Sequence, residues 1–75
     1  MEKPDKRLRL LGSRVRTLRL ASGLSQEELA ARGQFDRTYI SLIERGRRNP
    51  TYTNLVRLAN ALDISLAELI RKIDH

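Results

Sequence analysis

Residues 24–49 read Leu-Ser-Gln-Glu-Glu-Leu-Ala-Ala-Arg-Gly-Gln-Phe-Asp-Arg-Thr-Tyr-Ile-Ser-Leu-Ile-Glu-Arg-Gly-Arg-Arg-Asn. The pattern predicts two short helices joined by a tight turn. Ser25 and Glu28 have capping-box spacing, so each side chain can satisfy a free amide of the first turn. Leu29 and Ala30 turn inward, and the small Ala30 admits a close crossing by the next helix. The first helix stops near Gly33. Asp36 is placed to cap a second helix running from Arg37 to Arg45. Ile40 and Ile43 lie one turn apart and face a core, with Tyr39 and Glu44 on its flanks. The opposite face shows Thr38, Ser41, Leu42 and Arg45, with Arg37 at its leading edge. A leucine open on a basic, hydroxyl-rich face suits a thymine methyl or a protein partner better than plain solvent.

Outside this pair the chain reads as scaffold. Residues 1–5 are polar and contain Pro4, which predicts a flexible tail or an arm against a phosphate backbone. Asp5 can cap a first helix. Leu8, Leu11, Val15 and Leu18 recur with the period of a helix buried on one side, and Gly23 is suited to end it. Gly46-Arg47-Arg48-Asn49-Pro50 predicts a turn with two exposed guanidinium groups. Thr51 can cap a fourth helix with an apolar stripe of Leu55, Leu58, Ala59 and Leu62. Ser65 and Glu68 repeat the capping-box spacing and open a last helix carrying Leu66, Leu69, Ile70 and Ile73. The expectation is an all-α, compact five-helix fold, with residues 6–75 as a single domain.

Composition bounds the function. Fifteen Lys and Arg against nine Asp and Glu give a net charge of +6. Residues 1–19 hold seven of those cations and two of the anions, so the excess is concentrated there. Such a balance suits a polyanion such as nucleic acid, or equally a solvated helix face rich in Arg. With no cysteine, a disulfide framework and a thiolate metal site are both excluded. The single histidine, His75, reads as a frayed terminal residue. Five serines occur, but none has a histidine base nearby in sequence, and no glycine-rich phosphate loop is present. An enzyme is therefore the weakest reading, and no cofactor, metal or small-molecule substrate is expected. No apolar run approaches the roughly 20 residues of a membrane span, and no signal-peptide pattern opens the chain. A cytoplasmic protein without a membrane partner is expected.

Gly23-Leu24-Ser25-Gln26-Glu27-Glu28-Leu29-Ala30, then Tyr39-Ile40-Ser41-x-Ile43-Glu44-Arg45-Gly46, resembles the phage repressor/Cro-type (XRE-like) helix-turn-helix family. Pro50 and the run from Leu55 to Leu62 extend the resemblance over about residues 8–70. The stretch from Asp36 to Ser41, with Ile43-Glu44-Arg45 and Arg48-Asn49, is also similar to the controller proteins of restriction–modification systems. The resemblance implies a lambda-repressor-like fold and a sequence-specific DNA-binding transcriptional regulator. It also implies a homodimer on a palindromic operator of double-stranded DNA. An antitoxin-type module binding both DNA and protein is the alternative. One departure stands in the turn, where the family usually has alanine then glycine and this chain has Gly33-Gln34. Either Gln34 takes a left-handed conformation at a cost of about 1 kcal/mol, or the turn is reshaped around Gly33.

In such a motif the second helix lies in the major groove while the first crosses the backbone. Arg37 can grip guanine O6 and N7, Thr38 and Ser41 can bond a base edge or a phosphate, and Leu42 can pack on a thymine methyl. By resemblance, Gln26 would hold a phosphate at a helix start. Arg45, Arg47, Arg48 and Asn49 would hold the strand beyond the second helix, fixing register rather than sequence choice. Tyr39 can touch phosphate through its hydroxyl or bury its ring. The resemblance makes Arg19 and Glu44 a structural ion pair, and it makes Phe35 and Tyr52 core residues. Leu66, Leu69, Ile70 and Ile73 are expected to divide between the core and a dimer interface. With no second domain to sense a small molecule, control is expected to follow the protein's own concentration.

Overall fold

The computed structural model describes residues 5–71 and 73, and five helices form among them. These are α1 Lys6–Ala21, α2 Gln26–Gly33, α3 Arg37–Glu44, α4 Tyr52–Ala61 and α5 Leu66–Leu69. Four start on a working cap. Asp5 accepts from the Arg7 amide (2.8 Å), Ser25 from Glu28 (3.0 Å), Thr51 from Asn54 (3.1 Å) and Ser65 from Glu68 (3.1 Å). Ser25 and Glu28 complete a reciprocal box, and these bonds to Ser25 hold the Glu28 carboxyl below its usual range. Asp36 stands at the cap position of α3, but its side chain makes no capping bond. The expected tail, apart from Asp5, lies outside the described residues, as does His75.

Helix α3 packs against both α1 and α2, α2 packs on α4, and α4 carries α5. The largest fully buried side chains are Val15, Leu29, Ile40, Ile43, Leu58 and Leu69, one or two from each helix. Burying several such side chains, at roughly 1.5–3 kcal/mol each, is what holds helices this short in place. Leu11 and Val15 of the α1 stripe and Leu58, Ala59 and Leu62 of the α4 stripe lie in this core, with Leu18 and Leu55 at its edge and Leu8 half-buried outside it. Gly12 is the contact point of α1 and α3. A Cβ there would sit 2.3 Å from the Ile43 carbonyl oxygen and 2.6 Å from that of Glu44. Gly23 follows α1 with φ +72°, a conformation glycine adopts without steric cost.

Several expectations are corrected. Tyr52 is 72 % exposed and is not a core residue. It occupies the first turn of α4, where the Cα–Cβ bond tilts toward the helix start and carries the ring past the edge of the core. Helix α5 is a single turn rather than a run reaching Ile73. Arg14 of α1 donates to the Glu68 carbonyl (2.8 Å), an acceptor that a longer helix would use for its own ladder. Arg14 and Arg71 also take the Glu68 carboxylate, so only the Ser65 half of the second capping box forms. Among the expected interface residues, Leu69 is fully buried in the chain's own core. Leu66 and Ile73 are half-buried against it, and Ile70 is exposed.

Candidate nucleic-acid interface

The turn between α2 and α3 takes the first of the two forms open to it. Gln34 is left-handed (φ 60°, ψ 43°), and its amide bonds back to Ala31 (3.3 Å). The Phe35 amide then donates to the Ala30 carbonyl (2.8 Å), which closes the end of α2. Gly33 is buried, and a Cβ on it would lie 2.6 Å from the Phe35 ring. The early glycine thus makes room for Phe35, while Gln34 carries the backbone strain.

Helix α3 is braced from two sides. Arg19 of α1 donates through Nε to Glu44 Oε2 (2.6 Å) and through Nη2 to Oε1 (3.0 Å). Its third arm reaches the Leu24 carbonyl (2.9 Å). Both side chains are buried, 9 % and 4 % exposed, and the Glu44 bonds raise the Arg19 pKa. Gln26 Nε2 also donates to Glu44 Oε1 (3.1 Å). The Gln26 side chain is therefore turned toward this pair.

Arg37 and Thr38 are exposed, whereas Ser41 and Leu42 are half-buried. The helix has only eight residues and is packed by both α1 and α2, so its open sector is narrower than the residue pattern implied. Arg37 Nε lies 3.8 Å from Glu27 Oε1 across the surface, not against Asp36. Such an exposed pair is worth little and releases easily. Arg45, Arg47, Arg48 and Asn49 are all exposed in the turn after α3. Gly46, at φ +72°, packs against the Arg9 backbone of α1, which holds that basic turn beside the helix.

Tyr39 is half-buried, and both its ring and its hydroxyl find partners within the chain. Its ring stacks on Phe35 with centroids 5.2 Å apart, and the Arg48 guanidinium lies 5.4 Å from its centroid. Its hydroxyl accepts from Asn54 Nδ2 (3.0 Å). Arg57 of α4 has no role in the residue pattern, yet it anchors this corner. It donates to the Gly33 (2.7 Å) and Gln34 (2.9 Å) carbonyls and to Asn54 Oδ1 (3.1 Å), with its Cζ 4.4 Å from the Phe35 centroid. The available signal was a cation at the core edge of α4, and its partners lie too far away in sequence to be inferred from it.

Among the described residues no cluster of His, Cys, Asp or Glu could hold a metal ion, and no helix is long and apolar enough to cross a membrane. The assembled surface is a short helix with Arg37 and Thr38 open and a row of cations beyond its end. It offers forked donors to base edges and distributed positive charge to phosphates.

Comparison with known proteins places this geometry. An uncharacterized HTH-type transcriptional regulator of Sinorhizobium fredii, y4dJ, is 48 % identical over 67 residues, covering 89 % of this chain and 87 % of that one. The restriction-modification controller protein C.AhdI from Aeromonas hydrophila superposes with TM-score 0.81. It is 50 % identical, with coverage of 83 % of this chain and 94 % of that chain. A related controller protein, C.Esp1396I, has been crystallised as a tetramer with its natural 35 base-pair operator. It aligns with TM-score 0.78 and 35 % identity over 91 % of this chain and 99 % of that one. Residues 15–69 match the helix-turn-helix family model, and the chain belongs to the helix-turn-helix family.

Proposed function

We propose that this protein is a sequence-specific DNA-binding transcriptional regulator of the restriction–modification controller kind. It acts in the cytoplasm as a homodimer on a twofold-symmetric operator, and it is a binding protein rather than an enzyme. The observation that carries the reading is the braced α3. Arg37 and Thr38 lie open on it, Leu42 is half-open, and Arg45, Arg47, Arg48 and Asn49 follow its end. In this reading Arg37 leaves Glu27 and takes guanine, while Thr38, Ser41 and Leu42 read neighbouring base edges. Tyr39 and the arginine-rich turn hold phosphates, and Gln26 contributes its backbone amide at the start of α2.

Dimerisation is part of the same reading. One domain with so few base contacts gains specificity by doubling them on two half-sites about one helical turn apart. The half-buried Leu66 and Ile73 and the exposed Ile70 supply the apolar contact, and Leu69 supports them from the core. The relatives' regulator and controller functions, and the tetramer of C.Esp1396I on its operator, support this assignment by analogy. A salt-titrated mobility shift on genomic fragments tests it. Selective retention that survives physiological salt is expected. Uniform, salt-fragile binding overturns the reading.

A further inference from the structure

We propose that Arg57 and Asn54 form a directional hydrogen-bond relay that makes the Tyr39 hydroxyl a donor to a DNA phosphate oxygen. The inference rests on the DNA-binding reading and adds positioning residues that touch no DNA themselves. Its warrant is the polarity of each group. A guanidinium can only donate, so the atom of Asn54 facing Arg57 Nη1 at 3.1 Å must be the amide oxygen. That assignment fixes the amide and turns its nitrogen toward Tyr39 at 3.0 Å. An amide nitrogen also only donates, so the Tyr39 oxygen accepts and keeps its own proton for another partner. Among the described residues nothing takes that proton.

The surroundings select the acceptor. Arg48 is exposed and its guanidinium lies over the Tyr39 ring. An acceptor beside a cation and in front of a hydroxyl proton matches an anionic, acceptor-only phosphate oxygen. The Phe35 stack and the Arg57 contact with Phe35 fix the ring, so the hydroxyl cannot swing to another partner without breaking the corner. Arg57 holds the turn carbonyls in the same grip, so the α2–α3 geometry and the direction of this donor are set together.

The test uses Asn54→Asp, a near-isosteric change that reverses the relay. A carboxylate accepts from both Arg57 and Tyr39, drawing the phenol proton inward and presenting only lone pairs to DNA. The variant is made in the parent and in a Tyr39→Phe background, with Asn54→Ala as an uncharged companion in both. The probe is the duplex that the unaltered chain enriches most from a random-sequence pool. Added negative charge weakens binding equally in the two backgrounds, so the relay is read from the difference between them. Asn54→Asp is expected to cost about tenfold more affinity where Tyr39 is intact. Asn54→Ala is expected to show a smaller loss that is likewise confined to the Tyr39 background, with melting temperatures confirming the fold. Equal losses in both backgrounds overturn the relay while leaving DNA binding intact. If the unaltered chain enriches no duplex, the DNA-binding reading falls first and the relay with it.

Discussion

Arg19 and Glu44 meet in a two-pronged, buried ion pair, Nε to Oε2 at 2.6 Å and Nη2 to Oε1 at 3.0 Å, joining α1 to the last residue of α3. The pair costs desolvation to bury, so its presence matters less than the cost of breaking it. Removing one partner of such a pair costs roughly 3–5 kcal/mol, because the other charge is left without a counterion. In a domain of this size each kcal/mol is worth about 4–8 °C of melting temperature. Arg19→Ala is therefore expected to lower the Tm by about 12 °C or more, without DNA present. Thermal unfolding followed by circular dichroism measures it, and an unchanged Tm contradicts the bracing role.

Gly12 tests the crossing of the same two helices. In an open helix, glycine to alanine gains about 1 kcal/mol in propensity. Here the new methyl would meet two carbonyl oxygens of α3 at 2.3 and 2.6 Å, so α1 must move away. Overpacking of this kind costs typically about 1–3 kcal/mol and outweighs the propensity gain. Gly12→Ala should lower the Tm and weaken DNA binding together. A raised Tm would mean that the helices do not cross this closely.

The turn makes the opposite prediction. Gln34 sits at φ 60° with its side chain exposed, so glycine there removes strain and loses little packing. The relief of about 1–2 kcal/mol exceeds the unfolded-state entropy of about 0.4–1 kcal/mol that a glycine adds. Gln34→Gly should raise the Tm by a few degrees, and Gln34→Val should lower it. A fall with glycine would place the strain elsewhere.

Glu28 gives the pH dependence. Its pKa is held below the ordinary 4.5, first by the Ser25 backbone bond and then by the Ser25 hydroxyl. The unfolded chain thus binds this proton more readily than the folded one, so the contribution is fully present well above pH 4.5. It is lost as pH falls through the lower folded value. Glu28→Gln should lower the Tm modestly near neutrality and flatten the acid side of a plot of Tm against pH, so that the two curves converge at low pH. An identical acid limb in the variant would show that the box carries no linkage.

What could be read from the residues was local. Ser25 with Glu28, Thr51 with Asn54 and Gly23 after α1 act within a few positions, and each forms as its spacing implies. Residues that act across the fold were hidden. Arg57 binds carbonyls 24 and 23 residues earlier, and nothing in its neighbours marks that destination. Gly12 carries no turn signal, because its role appears only once α1 meets α3. Leu42 is half-buried rather than fully open for a related reason, since a helical projection does not know that two neighbours will narrow the open side. Tyr52 misled because a position that the family buries says nothing about how far this chain's own core reaches toward the first turn of α4.

The central claim is that the outward side of α3 chooses the DNA sequence. Its most direct test is selection of bound sites from random duplexes by the parent and by a variant with Arg37, Thr38 and Leu42 all changed to alanine. All three lie outside the fully buried core, so the variant should stay folded. The account predicts a parent that returns two related half-sites, about one helical turn apart, and a variant that retains salt-sensitive binding but returns no common sequence. A folded variant that returned the parent's own sites would contradict it.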